Sequence, residues 1–148
     1  MWSREAMRVR LAKSADLDAV CGTDSLAGSN TRRRDRIIRG IHTEEVWVVE
    51  LDGAIAGYGL MACSFFDRDF IELVIIDPRY RGRGLGPAVI RQLEAACTQA
   101  QLFTSTNESN AHMRHVLEQL GYQPSGIIHN LDPDDPEIVY VKVLEESE

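Results

Sequence analysis

Just after Asp77-Pro78 and just before a long amphipathic stretch, the chain reads Arg79-Tyr80-Arg81-Gly82-Arg83-Gly84-Leu85-Gly86. Alternate glycines let a main chain approach a ligand without obstruction by Cβ, and amides that open a helix sit at the positive end of a macrodipole of about half a charge. Arg79, Arg81 and Arg83 add positive charge in a chain whose formal net charge is −7. Types and spacing together point to a cradle for a phosphate-like anion. A tight strand-to-helix turn that merely needs positive φ is the plainer reading of the same glycines. Two common phosphate motifs do not fit. A Walker loop ends in Gly-Lys-Ser/Thr, and a dinucleotide fingerprint starting at Gly82 and Gly84 would need glycine where Pro87 stands.

Upstream, Glu72 is the one charged residue within Phe70–Ile76, and strand alternation gives its side chain the parity of Val74 and Ile76. A carboxylate in such a run is costly unless it is satisfied or opens on a cavity. Glu72 is therefore a candidate general base; pairing with an arginine or with backbone is the competing role. The other reactive types carry less. Cys63 has no identifiable histidine partner and reads as a buried small hydrophobe. The histidines are scattered, His112 and His115 fall off the apolar stripe of their helix, and no metal site is expected. Arg32-Arg33-Arg34 reads as a solvated helix start that could bind an anion, and Asp132–Glu137 as an acidic loop that could attract a cation.

The elements that must hold these residues follow from periodicity. Met7, Val9 and Leu11 alternate with Arg8 and Arg10 as a half-buried first strand. Ser14 is a candidate cap for a helix with Leu17, Val20 and Cys21 on one face, and a second helix runs from Thr31 through Ile41. Val46–Leu51, Asp52-Gly53 and Ala54–Ala62 read as a hairpin. Phe70–Ile76, nearly continuous in apolar residues, reads as a central fourth strand covered on both faces and stopped by Asp77-Pro78. Leu85, Val89, Leu93, Ala96, Cys97 and Ala100 give one face of a helix from Gly84 to Ala100. A fifth strand spans Gln101–Thr106, and Ser109 or Asn110 caps a helix whose Met113, Val116, Leu117 and Leu120 point inward until Gly121 ends it. Gly126–Asn130 and Ile138–Leu144 are the last β-runs. This order gives a mixed α/β sheet with helices on both faces.

Composition limits the alternatives. With 148 residues, 44% of them apolar and 26% charged, the chain reads as one globular domain spanning 1–148. Sixteen basic against twenty-three acidic side chains argue against broad nucleic-acid binding. Met1–Arg10 carries charge where a secretory segment would be apolar, and no window reaches a membrane-spanning run. Cys21, Cys63 and Cys97, widely spaced and odd in number, fit a reducing cytoplasm. Exposed strand edges near Ile138–Leu144 could pair across a homodimer.

The segment Ile76-Asp77-Pro78-Arg79-Tyr80-Arg81-Gly82-Arg83-Gly84-Leu85-Gly86 matches Arg/Gln-x-x-Gly-x-Gly/Ala and resembles the acetyl-CoA motif of the GNAT-type N-acetyltransferase superfamily. Asn110 through Leu120-Gly121-Tyr122 is similar to that family's second, Asn-x-x-Ala-like helix, and the element order agrees from Met7 to Leu144. The resemblance implies a mostly antiparallel sheet in which strands four and five are parallel and splayed, with acetyl-CoA in the opening. It implies that amides of Arg81, Gly82, Arg83, Gly84, Leu85 and Gly86 hold the pyrophosphate, and that backbone groups around Val74 and Ile76 meet the pantetheine arm. Asn110 would contact the coenzyme, with helix capping as its competing role and Asn107 as a rival for either. The implied reaction is direct acetyl transfer to a primary amine, of a small molecule in the first instance, with Glu72 as base. A non-catalytic acetyl-CoA-binding module or sensor of the same fold is the alternative. One departure stands out: Leu117 occupies the position where the family commonly places a tyrosine acid, which leaves the proton donor unassigned.

Overall fold

A computed structural model describes residues 6–144, so the first five residues of the charged opening stretch lie outside it. Seven strands lie in the order β1 (Met7–Leu11), β2 (Val46–Leu51), β3 (Ala54–Phe65), β4 (Arg68–Ile76), β5 (Gln101–Asn107), β7 (Glu137–Val143) and β6 (Gln123–Ile128). Four helices accompany them: α1 (Leu17–Gly22), α2 (Thr31–His42), α3 (Leu85–Ala96) and α4 (Ala111–Gln119). The sheet is mixed. β1–β2, β2–β3, β5–β7 and β6–β7 are antiparallel, and β4–β5 is parallel, as expected. The chain divides into two compact units, one holding the residues up to Met61 with Leu73–Ala95, the other holding Ala62–Glu72 and the chain from Ala96 on.

In the first unit, β2 and β3 meet at Asp52-Gly53 with φ of 51° and 84°, the left-handed pair that a two-residue hairpin demands. Strand alternation then sorts the helices. Tyr58 and Leu60 point to a core shared with Val20, Cys21, Ile37 and Ile41 of α1 and α2. Gly57 and Gly59 point the other way, where Cβ atoms would collide with the Ile75 carbonyl and with Val89 of α3 respectively. Helices therefore cover both faces of this part of the sheet. Entry into α1 differs from expectation: Ser14–Asp16 forms a 3₁₀ turn, and it is the Asp16 carboxylate that accepts from Lys13 N–H at 2.7 Å. Arg10 anchors that turn by donating to Asp16 at 2.8 Å and to Glu50 at 2.7 Å. Asn30 caps α2 by accepting from the amides of Arg32 and Arg33.

The core of this unit contains a polar knot that periodicity does not announce. The Tyr58 hydroxyl donates to Asp24 Oδ2 at 2.5 Å, Arg33 donates to the same oxygen at 2.7 Å, and Asp24 Oδ1 accepts from Leu26 N–H at 3.1 Å. Tyr58 is wholly buried and Asp24 nearly so. Such groups are stable only when mutually satisfied, and these three fix the chain between α1 and α2 against β3.

In the second unit, β7 pairs with β5 from Gln101↔Val143 to Asn107↔Glu137 and with β6 on its other side. The edge expected near Ile138–Leu144 is therefore interior, and β6 takes the edge instead. The third and fourth strands are longer than expected because their turn, Phe66-Asp67, adopts positive φ (50° and 59°) without glycine. Parallel pairing joins Asp69, Phe70 and Ile71 to Leu102, Phe103 and Thr104 only. Accordingly, of Phe70–Ile76 only Ile71 is fully buried, and the expectation of a strand covered on both faces is corrected. The third helix ends at Ala96 rather than Ala100. The residues beyond it serve the hairpin: Gln99 accepts from Asp69 N–H at 2.7 Å and donates to the Asp67 carbonyl at 3.0 Å. Cys63 is exposed, not buried, and lies 3.8 Å from Gln99 Nε2.

Burial, reinforced by the Asp24 carboxylate, pushes the Tyr58 phenol well above the usual tyrosine range. Folding thus favours the neutral phenol. The stabilisation is complete below about pH 10, the ordinary tyrosine value, and is lost as pH rises from there toward the raised folded value. Denaturant titrations on either side of about pH 10 should show an alkaline loss of stability in the parent that is smaller in Tyr58→Phe. Equal alkaline losses in the two proteins would contradict this account.

Candidate active site

β4 delivers the chain into the arginine- and glycine-rich segment through a fixed bend. Asp77 N–H donates to the Ala56 carbonyl at 2.8 Å, which ties the end of β4 to β3. The buried Asp77 carboxylate accepts from Arg79 N–H at 3.0 Å and from the Arg79 guanidinium at 2.9 and 3.2 Å, closing a 3₁₀ turn over Pro78–Tyr80. The Arg79 side chain holds the Asp77 carboxyl below the usual carboxylate range. Arg79 is thus matched within its own turn.

Beyond it, Gly82 and Gly84 have φ of 79° and 77°, and neither would bring a Cβ into contact with anything. Backbone conformation, not crowding, requires glycine at these two positions. Leu85 starts α3 as a buried anchor, and the Ala88 N–H is bonded back to Gly84 O at 3.2 Å. The opening amides of Leu85 and Gly86 come before that bond, where a helix supplies no partner of its own. Gly86 behaves differently from the other two: its φ is not positive, and a Cβ there would only reach ordinary distance, 4.0 Å, from Ile76. Neither strain nor packing within the chain accounts for glycine here. Val74 and Ile76, both half-buried, precede the turn on the same strand. The first unit thus brings together Val74, Ile76 and Arg81–Gly86.

The second unit contains Glu72 and Asn110. Glu72 is half-buried and its Oε2 accepts from Ser64 Oγ at 3.0 Å, a partner on β3 that sequence inspection did not single out. Asn110 caps α4 by accepting from Met113 N–H at 3.2 Å. Its rival Asn107 is committed to the loop before β7, donating to Asp132 at 2.8 Å and to the Asp135 carbonyl at 3.3 Å. Ser109 holds the same loop through Asp135 at 2.6 Å. Leu117 is buried in α4, and Tyr122 and Tyr140 are buried as well, with the Tyr140 hydroxyl accepting from Arg114 at 3.3 Å. His112 and His115 are exposed, as expected. Among the described residues no cluster of metal-ligating side chains occurs.

The Acetyltransferase (GNAT) family matches residues 17–122. The chain belongs to that family. It is accordingly an acyltransferase of the N-acetyltransferase type. A GNAT-family acetyltransferase from Bacillus cereus is 32% identical, with TM-score 0.89 over 95% of this chain and 99% of that one. An amino-acid acetyltransferase from Mycobacterium tuberculosis is 28% identical over 78% of this chain and 71% of that protein. The yncA structure from Salmonella typhimurium, which holds its cofactor acetyl-CoA, superposes with TM-score 0.78 over 97% of this chain and 96% of that one. At 20% identity that last likeness is one of fold.

The three glycines should separate in stability measurements. Gly82→Ala and Gly84→Ala each force an alanine into the left-handed region and should cost roughly 1–2 kcal/mol. Gly86→Ala, inside a helix and unstrained, should leave stability unchanged or raise it by up to about 1 kcal/mol. Equilibrium unfolding of the three variants checks the contrast, and a loss at Gly86 equal to that at Gly84 would show that packing demands all three.

Proposed function

We propose that this GNAT enzyme passes acetyl from acetyl-CoA directly to a primary amine of a small molecule. The observation that carries the reading is the turn Arg81–Gly86, whose positive-φ glycines, unobstructed Gly86 and opening helix amides suit a diphosphate. Bound there, acetyl-CoA supplies an activated thioester. In this reading amides of Arg81, Gly82, Arg83, Gly84, Leu85 and Gly86 grip the pyrophosphate, and Arg81 and Arg83 raise the local positive potential. Backbone groups of Val74 and Ile76 are assigned to the pantetheine arm, and Asn110, besides capping α4, is assigned a contact with the coenzyme. The reading takes residues 1–148 as one catalytic domain of a cytoplasmic enzyme, for which the spacing of the three cysteines speaks.

The acceptor must be neutral to attack. An amine with pKa near 10.4 is only about one part in 2,500 neutral at pH 7, a handicap of about 4.6 kcal/mol. A carboxylate that takes the proton removes part of it, and general bases contribute typically 10²–10⁴-fold. Glu72 is assigned that role, with Ser64 holding its Oε2. Leu117 has no proton to give, so we assign the thiolate's proton to solvent; a thiol of pKa near 8.5 is a tolerable leaving group. Because the Mycobacterium relative is named for amino acids, α-amino acids lead the acceptor panel.

Thiol release from acetyl-CoA over an amine panel tests the activity, and calorimetry tests the turn. Gly86→Val should weaken acetyl-CoA at least about tenfold, by filling the space the ligand needs, without an equal loss of stability. Glu72→Gln should lower kcat about 10²-fold and leave acetyl-CoA affinity unchanged. Undiminished turnover in Glu72→Gln would remove Glu72 from the mechanism, and tight binding by Gly86→Val would move the coenzyme elsewhere.

A further inference from the structure

The sheet has two terminal strands, and their chemistry differs. β1 carries Arg8, which is exposed, and Arg10, and charges of this kind discourage one edge from pairing with another copy of itself. β6 has no such guard. From Gly121 to Asn130 the sequence contains no Asp, Glu, Lys or Arg, and all six residues of β6 are exposed. Ile127 and Ile128 are among the exposed large apolar residues, joined just beyond the strand by Leu131. Pro124 and a register shift between Pro124 and Gly126 limit the open edge to the half of the strand that bears those isoleucines.

We propose that β6 pairs antiparallel with β6 of a second copy, about a two-fold axis near Ile127. In such an isologous contact each residue near the axis meets itself or a close neighbour, so any charge there would face its own sign. An uncharged edge is the composition this symmetry requires. The flanks are complementary under the same operation. Lys142 lies 5.7 Å over the Tyr122 ring beside the start of β6, and the acidic segment Asp132–Glu137 follows its end. Antiparallel pairing brings the basic start of one strand to the acidic end of the other, twice. Chains of net charge −7 otherwise repel, so a neutral seam with alternating flanks is where they can meet. This inference does not depend on the proposed acetyl transfer.

Sedimentation equilibrium tests it with the full-length protein. The parent should be dimeric at about 10 µM, and Ile127→Lys and Ile127→Glu should each raise the dimer dissociation constant at least roughly 30-fold. Circular dichroism should remain that of the parent, since the replaced side chain is exposed within one chain, while melting should lose only the concentration-dependent part that dimerisation adds. Mixing the lysine and glutamate variants in equal amounts should restore a dimer, because unlike charges then face across the axis. A monomeric parent, single variants that still dimerise like the parent, or a mixture that stays monomeric would each overturn the proposal.

Discussion

The first unit depends on a strand that omits its side chains at two alternate positions. β3 presents nothing at Gly57 and Gly59, which lets the Ile75 carbonyl and Val89 of α3 lie against its backbone. A methyl at Gly57 would overlap main-chain atoms, and main chain does not move aside as the end of a flexible side chain does. The approach fixes where β4 ends. Asp77 then bonds to Ala56, clamps Arg79 and turns the chain toward α3. Those constraints set where the chain leaves β4 for the Arg81–Gly86 turn.

On the opposite face the same strand is full, and its largest side chain is polar at the tip. Tyr58 crosses an apolar core to reach Asp24, where Arg33 also arrives. Apolar contacts alone would hold α1 and α2 on the sheet with some freedom to slide; a buried, mutually satisfied trio has one geometry, and misalignment leaves groups desolvated without partners. The two faces of β3 therefore do complementary jobs. One admits backbone, the other keys helices.

Legibility in the sequence followed the range of the interaction concerned. The first hairpin was plain because Asp-Gly states its own turn, and Val46–Leu51 came out with its observed bounds. The glycine turn was plain because φ requirements are local. The second hairpin was not, since Phe66 and Asp67 accept positive φ only within a turn closed by longer-range contacts such as Gln99 to Asp67. Nor was the insertion of β7 between β5 and β6, which depends on pairings from Asn107↔Glu137 to Gln101↔Val143, far apart along the chain. Asp24, Ser64 and Gln99 carried no periodic signal. Each matters through hydrogen bonds to partners elsewhere in the chain: Asp24 with Tyr58 and Arg33, Ser64 with Glu72, and Gln99 with Asp69 and Asp67. The candidate site was legible where it consists of backbone conformation, as at Gly82 and Gly84, and obscure where a side chain is held by tertiary contact, as Ser64 holds Glu72.

Charge runs show the same division. Arg32-Arg33-Arg34 suggested an anionic acceptor and Asp132–Glu137 a cationic one, yet both runs have structural work. Arg33 belongs to the Asp24 trio, and Arg34 pairs with Asp18 at 3.5 Å. Asp132 and Asp135 secure the loop before β7 to Asn107 and Ser109, and Glu137 accepts from Ser105 at 2.7 Å. The segment from Asp77 to Gly86 is different in kind. It sets three arginines against one acid, and that acid is taken by Arg79. Its distinguishing feature lies in the backbone, where positive-φ glycines lead into amides at a helix start that suit an anion. That is why the coenzyme-binding reading rests on this turn rather than on the longer and more conspicuous charged stretches.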